Sequence, residues 1–91
     1  MPFSVGFTLA ARRQLSKLPA SVQAEIKPHI DALAQDPKPP SAVRLSGTKR
    51  GYRLRVGAYR VLYELFEDRL LILVVRVGHR REVYKRLSRL S

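Results

Sequence analysis

Apolar and polar residues alternate at the start of the chain. Phe3, Val5 and Phe7 are separated by Ser4 and Gly6. A period of two predicts a short, half-buried strand. Thr8 follows as an N-cap for a first helix. There the period lengthens: Ala11, Leu15 and Leu18 fall at i, i+4 and i+7 and make one apolar stripe, with Arg12, Arg13 and Lys17 off it. Pro19 suits the first turn of a second helix, where its missing N–H would have no partner anyway. That helix is predicted to run to about Gln35, with Val22, Ile26, Ile30 and Leu33 on one face. Pro28 lies inside it and removes the hydrogen bond to the carbonyl of Ala24, which predicts a kink or a split. Asp36-Pro37-Lys38-Pro39-Pro40-Ser41 cannot continue a helix and reads as a stiff surface loop.

Beyond the loop the period returns to two. Tyr52, Leu54 and Val56 alternate with Arg53 and Arg55. Gly57-Ala58 puts glycine first, as a two-residue type II′ hairpin turn requires. Tyr59 to Phe66 is the return strand, and Glu67-Asp68 is a second tight turn. Leu70 to Val77 is nearly all apolar, the mark of a central strand covered on both faces. Gly78 ends it. Val83, Leu87 and Leu90 mark a short C-terminal helix. The order is β, α, α, an antiparallel β-meander, then α. This predicts one α+β domain over residues 1–91, with a strand and a helical hairpin packed on one face of the sheet.

Composition narrows the class. The chain has 91 residues, and 45% are apolar, too many for a disordered basic tail. A chain this short buries about 60–65% of its unfolded surface, enough for one small core. With no cysteine, a disulfide framework and a Cys-based zinc site are excluded. The longest apolar run, Leu70 to Val75, is far short of the roughly 20 residues needed to span a bilayer. MPFSVGF has no charged segment leading into a long apolar one, so no signal peptide is expected. The expectation is a cytoplasmic protein without membrane contact.

Charge changes the picture more. There are 18 Lys and Arg against 7 Asp and Glu, a net +11. Residues 1–43 carry a net +2 and residues 44–91 a net +9. Positive charge concentrated in one half repels itself and is useful where a polyanion sits in it. Nucleic acid is the first candidate, an acidic protein segment the second, and a merely solubilising surface the bland alternative.

The hairpin gives this field a location. With Gly57-Ala58 as the turn, Val56 pairs with Tyr59, Arg55 with Arg60, and Arg53 faces Leu62. Arg53, Arg55 and Arg60 then share one side of the sheet. Like charges directly opposite one another are unfavourable. The arrangement makes sense with an anion between the guanidinium groups, since arginine grips phosphate through two parallel N–H bonds. Otherwise each arginine splays into solvent or pairs with Glu64. A second cluster, Arg76-Val77-Gly78-His79-Arg80-Arg81-Glu82-Val83-Tyr84, begins at the end of the apolar strand. Gly78 would let the chain throw His79 and Arg80 over the sheet edge, with Tyr84 one helical turn beyond Arg80. His79 among arginines is either a base or a hydrogen-bond donor, whereas His29 reads as a surface residue. No metal-ligand spacing, glycine-rich phosphate loop or nucleophile elbow occurs, so neither a metal nor a cofactor is expected.

GYRLRVGAYRVLYE followed by LILVVRVGHRREVYK resembles the RelE toxins of bacterial and archaeal toxin–antitoxin systems, within the wider RelE/ParE superfamily. The opening FTLAARRQLSKLPASVQ fits as well, so the likeness covers nearly the whole chain. It implies a small cytoplasmic endoribonuclease that enters the ribosomal A site and cuts messenger RNA there without a metal. It implies a RelB-like acidic antitoxin as partner, the toxin alone being a monomer and the complex a hetero-oligomer. It also implies site residues: Arg60 in G-A-Y-R, Arg80 after V-G-H, Tyr84 closing E-V-Y, and the alternating Arg53 and Arg55. Arg44, Lys49, Arg50, His79 and Arg81 are the further residues expected to touch messenger or ribosomal RNA.

Such chemistry uses the ribose 2′-hydroxyl as nucleophile. It needs a base there, positive charge on the phosphorane oxygens, and an acid at the leaving 5′-oxygen. Arg55 and Arg60 suit the phosphate, Arg80 the leaving oxygen, and Tyr84 stacking on a base. Well-known relatives carry lysines where Arg53 and Arg55 stand, and arginine does not give up its proton. The base is then Tyr84 or His79, or positioning and charge carry the rate. Two other readings compete: a ParE-like inhibitor of DNA gyrase on the same fold, and a non-catalytic RNA-binding protein.

Overall fold

The computed structural model describes residues 2–79. The expected C-terminal helix and the expected site residues Arg80, Arg81 and Tyr84 lie outside these residues. Among the described residues, five strands and two α-helices follow in the order β1 (Ser4–Phe7), α1 (Leu9–Ser16), α2 (Ala20–Ala32), β2 (Ala42–Arg44), β3 (Gly51–Val56), β4 (Tyr59–Phe66) and β5 (Leu71–His79). The strands form one sheet in the order β1-β5-β4-β3-β2.

Local signals are followed closely at the N-terminal end. The Thr8 side chain caps α1, its Oγ accepting from the Ala11 N–H at 3.1 Å. The same hydroxyl donates to the Val75 carbonyl at 3.3 Å and so ties the cap to β5. The stripes Ala11–Leu15–Leu18 and Val22–Ile26–Ile30–Leu33 both face the sheet. Pro19 is the N-cap of α2 rather than a member of its first turn, and the helix ends at Ala32, short of Gln35. Pro28 does not split α2. Pro28 and Ala24 both lie on the exposed side, where water can satisfy the freed carbonyl.

The sheet is mixed rather than purely antiparallel. β1 runs parallel to β5, with Val5 beside Ile72 and Phe7 beside Val74. β5 therefore lies between β1 and β4, which explains its apolar run. The short β2 was not expected; it pairs antiparallel with β3. Glu67 to Arg69 form a single 3-10 turn instead of a tight hairpin turn, and Leu70 leaves it at φ 50°. Gly78 does not end β5, which continues to His79.

The main core lies between the helices and one sheet face, and holds Leu54, Val56, Val61, Tyr63, Leu65, Ile72, Val74 and Val77. Tyr63 is fully buried, and its hydroxyl donates to the Pro37 carbonyl at 2.6 Å, which pins the proline loop to the sheet. The other face carries a smaller apolar cluster, Leu62 and Val75 with Leu45 and Leu73 against them. Among the described residues, no helix is long and apolar enough to cross a membrane.

Candidate active site

The β3–β4 hairpin has the register expected from its turn. Val56 pairs with Tyr59, Arg55 with Arg60 and Arg53 with Leu62. Gly57 takes φ 58° while Ala58 is not at positive φ, the type II′ pattern that only the first residue needs glycine to make. Alternation then separates the faces: Tyr52, Leu54, Val56, Tyr59, Val61 and Tyr63 turn to the helices, and Arg53, Arg55 and Arg60 turn away. The structure brings these three arginines together on the open face.

Arg55 is exposed and stands directly opposite Arg60. The Arg60 Nη1 donates to the carbonyls of Gly57 and Tyr59, both at 3.0 Å. The turn therefore holds the Arg60 guanidinium beside the strand end, leaving its other N–H groups to a ligand. Beside Arg60 on β5 lies Gly78, where a Cβ would meet nothing within 4 Å. This opening adjoins the Arg55–Arg60 pair. Glu64 is the one acidic residue in β3, β4 and β5.

Among the described residues, the other expected ones are not part of this group. Arg44 pairs with Tyr52, on the helix side, and its Nη2 donates to the carbonyls of Thr48 and Lys49 at 3.1 and 2.9 Å. It closes the loop between β2 and β3. Lys49 is exposed in that loop, and the Arg50 guanidinium lies 5.0 Å from the centre of the Phe66 ring. Arg50 and Arg55 are five residues apart, about 17 Å of extended chain. His79 stands on the helix side, edge-on to Tyr59 with ring centres 5.9 Å apart. It lines a hollow of about 500 Å³ with Gln14, Lys17, Leu18 and Val77. It is not thrown over the edge toward the arginines, because β5 stays extended through Gly78.

One arginine on the open face escaped the sequence reading. Arg76 pairs with Leu62, and Leu62 pairs with Arg53, so the two arginines flank Leu62 in one row across three strands. The cause is a register shift between Leu62 and Tyr63, where β5 has one extra residue, Val75. Strict alternation from Ile72 and Val74 would send Arg76 into the core. The bulge returns it to the open face and sends Val77 inward.

A small α+β domain that turns one sheet face to its helices and loads the other with guanidinium groups is built to receive an anionic chain. A family model described as the ParE toxin of type II toxin–antitoxin systems matches residues 5–84. Toxin RelG of Mycobacterium tuberculosis is 34% identical over 90 residues, covering 94% of this chain and all of that protein. The toxin–antitoxin complex RelBE2 of the same organism matches at 30% identity with a TM-score of 0.78, over 88% of this chain and 100% of the other. A mutant of the Escherichia coli toxin RelE in the free state shares the fold, with a TM-score of 0.82 at 21% identity over 99% of this chain and 95% of that one. The chain belongs to the RelE/ParE superfamily of toxins from type II toxin–antitoxin systems.

Proposed function

We propose that this toxin is an endoribonuclease that cuts messenger RNA in the ribosomal A site and so arrests translation. The observation that carries the reading is the opposed Arg55–Arg60 pair with Arg53 on the same exposed face. Opposed like charges lower stability in the free protein. A phosphodiester between them removes that cost, and its charge grows in the phosphorane transition state. In this reading the ribose 2′-oxygen attacks the phosphorus, the P–O5′ bond breaks, and a cyclic 2′,3′-phosphate and a 5′-hydroxyl result. Arg55 and Arg60 hold the equatorial oxygens. Arg80 supports the leaving oxygen and Tyr84 stacks on a base; both stand on the resemblance to the RelE toxins. His79 faces the helices, which disfavours it as the base. The reading therefore takes Tyr84 as the base or relies on charge stabilisation and on alignment of the RNA by the ribosome, and needs no metal.

The RelBE2 toxin was solved with its antitoxin. By analogy this chain, a monomer when free, pairs in the cytoplasm with an acidic, RelB-like antitoxin that covers the arginine face. A second reading, a gyrase inhibitor, draws on the matching family model, which is that of a ParE toxin.

Purified protein on programmed ribosomes, read by primer extension, tests both. The expected result is cuts in phase with codons, much weaker cutting of free RNA, loss of cutting in Arg60→Ala, and protection by the antitoxin. Intact messenger together with inhibited DNA supercoiling would favour the gyrase reading. Equal cutting of free RNA would make the protein a general ribonuclease.

A further inference from the structure

The open face carries two rows of arginine rather than one. Arg55 and Arg60 form the first, with Gly78 beside them; Arg53 and Arg76 form the second, with the buried Leu62 between them. The rows are two residues apart along each strand, about 6.7 Å. This is close to the separation of neighbouring phosphates along an extended single strand of RNA. Arg76 is partly exposed, but its Nε is buried and has no hydrogen-bond partner. A buried N–H without an acceptor is costly unless something supplies one. The β-bulge at Val75 places Arg76 here, and bulges commonly serve to re-aim a side chain.

We propose that Arg76 is a positioning residue that holds a second phosphate, the neighbour of the one gripped by Arg55 and Arg60. The inference rests on the nuclease reading and deepens it. The face then takes a stretch of single-stranded RNA with two successive phosphates, in one direction fixed by the rows. Arg76 does not touch the reacting atoms. Its contribution is to fix the register in which the scissile phosphate meets Arg55 and Arg60. Without it the substrate loses a contact made alike in the bound state and in the transition state, so KM rises while kcat changes little.

The test pairs a protein change with a substrate change. Arg76→Gln and Arg76→Lys would be compared with the unaltered protein on ribosomes programmed with a messenger of defined cut site. In parallel messengers, the phosphate on either side of the cut bond is made neutral as a methylphosphonate. Arg76→Gln should lower kcat/KM about ten- to a hundredfold, mostly through KM, as expected for a lost charge-assisted contact. Arg76→Lys should recover part of it. One of the two neutral messengers should show a similar loss with the unaltered protein and almost no further loss with Arg76→Gln. Thermal unfolding of both variants checks that they fold. If the unaltered protein cuts and Arg76→Gln cuts equally well, Arg76 holds no phosphate. If the losses from variant and neutral linkage multiply for both messengers, Arg76 acts elsewhere. If the unaltered protein cuts no messenger at all, the nuclease reading itself fails, and this inference falls with it.

Discussion

Tyr63 shows what one residue can fix. Its ring stacks on Tyr52 with centres 5.6 Å apart, and its hydroxyl holds the Pro37 carbonyl from inside the core. The phenol is pushed above the ordinary tyrosine range, first by burial and then by the nearby Tyr52 and Asp36. All three disfavour the phenolate. The folded state thus prefers the protonated form more strongly than the unfolded chain does. The resulting stability is present in full below the ordinary tyrosine value of about 10 and is lost as pH rises beyond it. Tyr63→Phe should cost about 0.5–1.5 kcal/mol at neutral pH by removing the hydrogen bond. For a chain this size that lowers Tm by about 4–8 °C per kcal/mol. Above pH 10 the gap between the two proteins should narrow. A gap that widens there would contradict the assignment. A buried tyrosine was legible from alternation, but its partner was not, since 26 residues separate Tyr63 from Pro37.

At the scale of the element, the β3–β4 hairpin trades stability against binding. The Arg55–Arg60 juxtaposition is unfavourable in the free protein, on a scale where favourable cross-strand pairs are worth about 0.2–1 kcal/mol. Arg55→Thr should therefore raise the urea midpoint slightly, because threonine suits a strand and relieves the repulsion. It should also cut messenger cleavage strongly. A variant both less stable and fully active would remove the case for an anion between the two side chains. This element was the most legible in the chain, since a glycine at the turn and strict alternation on both sides leave one register. The same reading expected Gly78 to stop β5 and Pro28 to bend or break α2. Gly78 is tolerated inside the strand, and α2 runs on unbroken through Pro28, whose exposed side leaves the freed carbonyl open to water. β2, at three residues, is too short for periodicity to reveal.

For the whole molecule the net +11 charge and its concentration in residues 44–91 set the strength of encounter. Four guanidinium groups on one face, at Arg53, Arg55, Arg60 and Arg76, predict a salt dependence of RNA binding. For single strands the logarithm of affinity falls by about 0.7 per phosphate neutralised for each tenfold rise in salt, or about 1.4 for the two phosphates held by the two rows. From 50 to 200 mM salt, affinity for a short single-stranded RNA should drop roughly sevenfold. Fluorescence anisotropy would measure it, and a slope near zero would show that the arginine face does not bind the backbone.

The amino-acid order alone determined whatever depends on near neighbours. Helix stripes follow from 3.6-residue spacing, the hairpin register from Gly57, and the shared face of Arg53, Arg55 and Arg60 from a period of two. Tertiary structure decided what depends on pairing between distant segments. It set β1 parallel to β5 across some 67 residues and turned His79 toward α1. At Val75 it inserted the bulge that takes Arg76 out of the core and onto the arginine face. One extra residue in a strand reverses every side chain after it, and only the partner strand shows where that reversal falls.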